Sequence, residues 1–247
     1  MGKTYFASDF HLGTPDYDSS LIREKKVVQW LEDISADCEA LFLIGDVFDF
    51  WFEYKTTVPK YYTRLLGKLS SMADSGVKIY FFKGNHDMWT FDYLSKEIGL
   101  TVVDEEWIGN IGDKTFYVHH GDALWKGEPG YKFIRKVFRS KWAIWLFHRL
   151  HPNVGIGIAN YLSKSSRKKN SVKDEVEIPL EREHQYLFAL KYLEKNHIDY
   201  FIFGHRHKPM DIPLEKNARL INLGDWVSKF TYAAWDGKKV TLHNYTN

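Results

Sequence analysis

Cysteine is all but missing from this 247-residue chain. The single one, Cys38, can close no intramolecular disulfide, which excludes a disulfide-stapled secreted domain and leaves no thiolate set for a structural zinc site. Long apolar runs are missing too. No stretch reaches about 18 uncharged apolar residues, and MGKTYFASDF passes straight into strand-like sequence without a signal-peptide apolar region, so neither a membrane span nor export is expected. Internal repeats and low-complexity tracts are absent, which removes solenoids and disordered arrays. A strong net charge is lacking as well, at +2, but that balance hides a segregation. Lys126 to Lys173 holds 12 of the 34 Lys and Arg and one of the 32 acids, net +11, leaving −9 for the rest. Such a division points to an anionic partner for one region.

What is present fits one substantial core, or one core with an insertion: 44% hydrophobic and 27% charged residues, with aromatics rich at 17%. Short apolar runs at 4–8, 40–44, 78–82, 115–119 and 200–203 read as buried strands, and helical patterns at about 19–34 and 57–75 separate the first three into βαβ units. Periodicity alone therefore supports a mixed α/β fold. After HHGD, apolar and basic residues recur at helical spacing, giving a helical insertion over roughly 125–175. RLINLGDW, SKFTYAAWD and KKVTLHNYT close the chain as expected antiparallel strands, with WDGK as a turn.

Side chains able to hold a metal follow each strand: Asp9 and His11 in SDFHLG, Asp46 in IGDVFDFW, Asn85, His86 and Asp87 in KGNHDMW, His119, His120 and Asp122 in VHHGD, and His205 and His207 in GHRH. One strand-end histidine is more often a packed residue than a ligand. Five loops of this kind are different, because open α/β sheets gather ligands beyond the carboxyl ends of their strands. Asp-x-His and His-x-His also place both side chains on one side if the segment is extended. His119 is expected to point away from His120 and to be structural. Carboxylate, imidazole and amide donors without thiolate suit Mn²⁺, Fe or Zn²⁺, and there are too many for one ion.

In this order, D-x-H, GD, GNHD, HGD and GH-x-H resemble the calcineurin-like binuclear metallophosphoesterases, over residues 9 to 207. The resemblance implies a sandwich of two mixed β-sheets flanked by helices, with 1–124 and 176–247 as core and 125–175 as an inserted helical cap. It implies one metal on Asp9, His11, Asp46 and His207 and another on Asp46, Asn85, His120 and His205, with Asp46 bridging. The expected cofactors are two divalent ions, Mn²⁺ first, with Fe or Zn²⁺ as the other fits. His86, left without a metal, would contact phosphate or protonate a leaving oxygen, with Asp87 orienting it.

The insertion narrows the substrate. Phe133, Ile134, Val137, Phe138, Trp142, Trp145 and Leu146 interleave with Lys132, Arg135, Lys136, Arg139 and Lys141. Such a helix either packs its stripe on the core and leaves lysines in water, or meets an anionic membrane surface or acyl chains. Many aromatics beside a phosphate-cleaving centre favour a substrate with lipid and phosphate parts. EPGYKF and SRKKNSVK also resemble the capped branch of the superfamily that splits the pyrophosphate of UDP-2,3-diacylglucosamine into UMP and the acylated sugar phosphate, in lipid A biosynthesis. That resemblance implies Asn85, His86, Glu128, Ser166, Asn170, Lys173 and His205 as substrate contacts. This chain carries Glu128 where aspartate is usual and His86 where arginine is usual. A lipid-linked nucleotide and an anionic membrane surface are thus the expected partners, with no nucleic acid. The expected location is the cytoplasm, with peripheral attachment to the inner face of the cytoplasmic membrane. Another cytosolic phosphodiesterase or nucleotide pyrophosphatase with a different capped substrate is the alternative. A metal-free scaffold and a nuclease rank below it.

Overall fold

Period-two alternation in the apolar runs sets the layers. A computed structural model describes residues 2–125, 129–159, 161–163 and 179–246. In β1 (Lys3–Ala7) and β2 (Cys38–Leu43), Tyr5, Ala7, Leu41 and Leu43 face the helices α1 (Tyr17–Ile34) and α2 (Thr63–Asp74), where Trp30, Leu31, Leu65 and Leu69 cover them. Phe6 and Phe42 point the other way, into an inter-sheet layer with Phe116, Ile202 and Ile221. Successive strand residues serve opposite faces, so both layers are built from the same short runs.

The first sheet has the order β11-β10-β1-β2-β3-β4, with β3 at Lys78–Phe82, β4 at Thr101–Val103, β10 at Thr231–Trp235 and β11 at Val240–Asn244. β1 to β4 are parallel, and β10 and β11 add an antiparallel hairpin. The second sheet runs β5-β6-β7-β9-β8: Trp107–Ile111, Lys114–His119, Tyr200–Phe203, Arg219–Leu223 and Pro209–Pro213. β6, β7 and β9 are parallel, while β5 and β8 are antiparallel edges. The helix His184–Leu193 covers its outer face through Ala189 and Leu193 against Tyr117, Phe201 and Phe203.

Two local expectations change. The helix expected from 57 begins at Thr63, because Tyr61 and Tyr62 lie at φ +92° and +56°, outside helical space. The buried Glu24 carboxylate then takes the Arg64 and Leu65 amides at 2.9 and 3.1 Å and fixes that start. The closing strands do not form one antiparallel set, since β9 lies parallel to β7 and only β10 and β11 pair as a hairpin. That hairpin turns at Asp236, whose carboxylate accepts the Lys238 and Lys239 amides. β4, β5, β8 and the helix His184–Leu193 carry no strong period and have no counterpart among the elements expected from sequence.

Between β6 and that last helix lie α4 (Pro129–Phe138), α5 (Lys141–Phe147) and helical residues 152–159, after the short α3 (Tyr93–Lys96). No residue of α4 or α5 is buried. The stripe does not pack on the core: Phe133 is 68% exposed, Trp142 76% and Leu146 59%. Attachment is made elsewhere. Phe147 enters a ring cluster with Phe50, Phe52, Tyr54 and Trp89, and the Trp89 indole donates to the Phe138 carbonyl at 2.8 Å. At the other edge, Glu105 receives Arg135 at 2.8 Å and also Arg139.

Candidate metal centre

Six parallel strands, three from each sheet, end on one side of the sandwich, and their loops supply the polar cluster. β1 leads to Asp9 and His11, β2 to Asp46 and Asp49, β3 to Asn85, His86 and Asp87, β6 to His120 and Asp122, β7 to His205 and His207, and β9 to Asp225. The paired side chains do not converge by strand alternation as expected. Asp9, His11, Asp46, His205 and His207 all have φ between +45° and +69°. Left-handed backbone at a residue with a Cβ costs about 1–2 kcal/mol. Five such residues in one cluster mark a site held in place by its surroundings.

Those surroundings are specific. The buried Arg23 guanidinium donates to the Phe10, His11 and Thr14 carbonyls at 3.3, 2.8 and 3.0 Å and holds the first loop from beneath. Asp87, fully buried, accepts the Gly84, Val47, Phe48 and Asp46 amides and ties the second and third loops together. Gly84 is required here because a Cβ would overlap Asp46 Oδ1 and its amide.

Two groups of donors converge, with Asp46 between them. His11 Nε2 lies 3.2 Å from His207 Nε2 and 3.6 Å from Asp9 Oδ1, and His207 Nε2 lies 3.3 Å from the same oxygen. In the second group, Asn85 Oδ1 is 3.2 Å from His120 Nε2 and 3.1 Å from His205 Nδ1. Asp46 Oδ2 is 3.8 Å from His11 Nε2 and 3.5 Å from His120 Nε2, so it faces both. Asp9, His11, Asp46 and His120 are buried, whereas Asn85, His86, His205 and His207 line the open side.

The donor set fits cations. His120 Nδ1 donates to the Ile44 carbonyl at 2.8 Å, which leaves Nε2 as the nitrogen that faces Asp46 Oδ2 and Asn85 Oδ1 and could hold a cation in place of a proton. Asp49 and Asp225 stand 3.8 and 3.7 Å behind His11 Nδ1 and His207 Nδ1, the carboxylate–imidazole backing of metal sites. Asp9 Oδ1 is buried without a hydrogen-bond partner. Burial alone would raise the Asp46 carboxyl, yet the imidazoles of His120, His86 and His11 hold it well below the carboxylate range. Burial would lower His120, but Asp46 and Asp9 push it up to about 10. The two directions express one arrangement, carboxylates and imidazoles paired at close range, in which cations could take the place of the imidazole protons.

The sequence profile of the calcineurin-like phosphoesterase family matches residues 2–209. The chain belongs to this family. Among relatives of this phosphoesterase, a UDP-2,3-diacylglucosamine hydrolase of Porphyromonas gingivalis is 35% identical, covering 98% of this chain and 97% of that protein. One of Aeromonas salmonicida is 29% identical, covering 90% and 85%. Among solved structures, a hypothetical protein from Pyrococcus horikoshii shares the fold at 11% identity and TM-score 0.51, covering 99% of this chain and 88% of that one.

The residues expected to hold metal in this phosphoesterase are brought together, and the residues expected around His86 are rearranged. Asp87 binds backbone amides instead of orienting His86. That neighbour is Asp49, whose carbonyl accepts from His86 Nδ1 at 2.9 Å. Glu128, Ser166, Asn170 and Lys173 lie outside the described residues. His119 ends β6, with Nδ1 accepting the Gly121 amide and Nε2 3.8 Å from Glu105. Asp225 was legible in principle: LGD after β9 repeats the apolar–Gly–Asp grammar of IGD after β2. Asp49 sits three residues beyond Asp46 with no comparable mark.

Proposed function

We propose that this phosphoesterase cleaves the diphosphate of UDP-2,3-diacylglucosamine to UMP and 2,3-diacylglucosamine 1-phosphate. The observation that carries the reading is the unburied aromatic stripe of α4 and α5, attached beside a buried carboxylate–imidazole cluster. A diphosphate bearing acyl chains requires both features, and relatives of nearly equal length carry the corresponding name. Asp9, His11, Asp46 and His207, and Asp46, Asn85, His120 and His205, would hold two divalent ions, Mn²⁺ first, which when bound would supply a nucleophilic water near neutral pH and charge stabilisation at the phosphoryl group.

The chain's own residues orient the substrate. Asn85, His86 and His205 line the open side and contact the phosphates, and Glu128, Ser166, Asn170 and Lys173 hold the sugar and diphosphate. As an imidazolium, with its Nδ1–H on the Asp49 carbonyl, His86 donates from Nε2 to the phosphoryl or leaving oxygen, and Asp87 supports it indirectly by fixing the loop that carries it. Residues 125–175 act as a cap over the site. The cap's stripe, flanked by Lys132, Lys136, Lys141 and Arg149, rests on the anionic inner face of the cytoplasmic membrane from which the lipid substrate is drawn.

The test is hydrolysis of UDP-2,3-diacylglucosamine with added Mn²⁺, comparing wild type with Asp46→Ala and using bis(p-nitrophenyl) phosphate as a soluble control. Lipid cleavage lost in the variant supports both site and substrate. Cleavage of the control alone rejects the lipid substrate and favours a nucleotide pyrophosphatase with another capped substrate.

A further inference from the structure

The imidazole that departs from the usual arginine is not held by core residues alone. His86 Nδ1 donates to the Asp49 carbonyl at 2.9 Å, and Asp49 Oδ1 stands 3.5 Å from the same nitrogen. The third neighbour comes from beyond the site: Ser163, nine-tenths buried and helical, donates to Asp49 Oδ2 at 3.0 Å and lies 3.4 Å from His86 Nδ1. Its position is 114 residues from Asp49 and 77 from His86, so the contact exists only when the inserted segment is seated on the core. On its other side, the His86 ring meets His11 edge to face at 5.0 Å.

We infer that Ser163 is a positioning residue of the cap that acts through His86. An arginine can reach a phosphate with a long, rotating side chain, whereas an imidazole is short and must be aimed. The Asp49 carbonyl holds the Nδ1 proton, and the Asp49 carboxylate and Ser163 hydroxyl close off that edge of the ring. The opposite edge is thereby turned to the substrate side. Because the hydroxyl belongs to the cap, the imidazole is fully aimed only with the cap in place. The inference rests on the phosphoesterase reading but not on the lipid substrate.

A small diester that needs no cap makes the test selective. With bis(p-nitrophenyl) phosphate and Mn²⁺, Ser163→Ala is expected to lower kcat/KM roughly five- to tenfold, the scale of one lost hydrogen bond near the reacting atoms. Ser163→Thr should restore most of it, and Ser163→Ala should add nothing in a His86→Ala background. In metal-free protein, the ¹⁵N ring signals of His86, identified by their loss in His86→Ala, should move in Ser163→Ala. A wild-type rate on the diester, additive losses, or unmoved His86 signals would each overturn the inference. A Ser163→Ala defect confined to UDP-2,3-diacylglucosamine would also reject it, assigning Ser163 to lipid or cap binding. Failure of the lipid assay with the diester pattern as expected would reject only the substrate.

Discussion

Two buried residues show how single positions hold the site. Gly84 leaves room for Asp46 Oδ1, and a methyl there would overlap it, so Gly84→Ala should displace the carboxylate facing both donor groups. The expected result is protein with less than half the wild-type Mn²⁺ content by mass spectrometry; undiminished metal would show that the loops relax around the methyl. Asp87 is different, since its carboxylate is taken up by backbone amides from two loops. Burial and the nearby Asp46 raise its carboxyl to about 7. Asp87→Ala leaves several buried amides unsatisfied and should cost about 3 kcal/mol or more in urea unfolding. A loss of activity with unchanged stability would return Asp87 to the role of orienting His86.

Attachment of the inserted helices depends on few contacts. Tyr131 and Arg135 of α4 reach Asp122 Oδ2 at 2.8 and 3.0 Å, and Arg135 and Arg139 share Glu105. Interaction with His119, then with Arg135 and Arg139, holds the Glu105 carboxyl at about 2 against the opposing effect of burial. A depressed folded value means that the stabilisation is fully present above the ordinary value near 4.5 and is lost as pH falls through about 2. The difference in urea midpoint between wild type and Glu105→Gln should therefore be largest at neutral pH and shrink below pH 4.5. A gap that does not vary with pH would mean that the charge of Glu105 contributes nothing. Partial exposure of Glu105 keeps the effect small.

Across the whole molecule, the buried strand-end cluster and the open aromatic stripe make separate demands. Removing divalent metal should lower the melting temperature, and Mn²⁺ should restore it with concentration dependence, by about 2.7 kcal/mol at a hundredfold excess over Kd. Identical melting curves with and without chelator would contradict a cation-filled cluster. The stripe stays unburied although covering one large apolar side chain would be worth about 1.5–3 kcal/mol. Anionic vesicles should accordingly co-sediment the protein at low salt, and Trp142→Ala with Trp145→Ala should reduce the bound fraction severalfold. Equal binding to neutral vesicles at high salt would remove the electrostatic part of that account. No helix among the described residues is long and apolar enough to cross a membrane.

The sequence by itself determined the strands that lead into the polar cluster. Runs such as KIYFF and YFIF are apolar on both faces because helices cover one side and the second sheet the other, so they stand out without any tertiary information. It also determined the Asp, Asn and His positions at the strand ends, since those residues interrupt the apolar runs abruptly. Only the tertiary structure decided which strands share a sheet: β9 and β10 are consecutive, yet they pair in different sheets, a choice made by long-range packing. It also decided which carboxylates back which imidazoles. Asp49, Asp225 and Ser163 look ordinary in one dimension, and they gain their roles because parallel strand ends and a cap helix bring them within hydrogen-bonding or ion-pairing range of histidines far away in the chain.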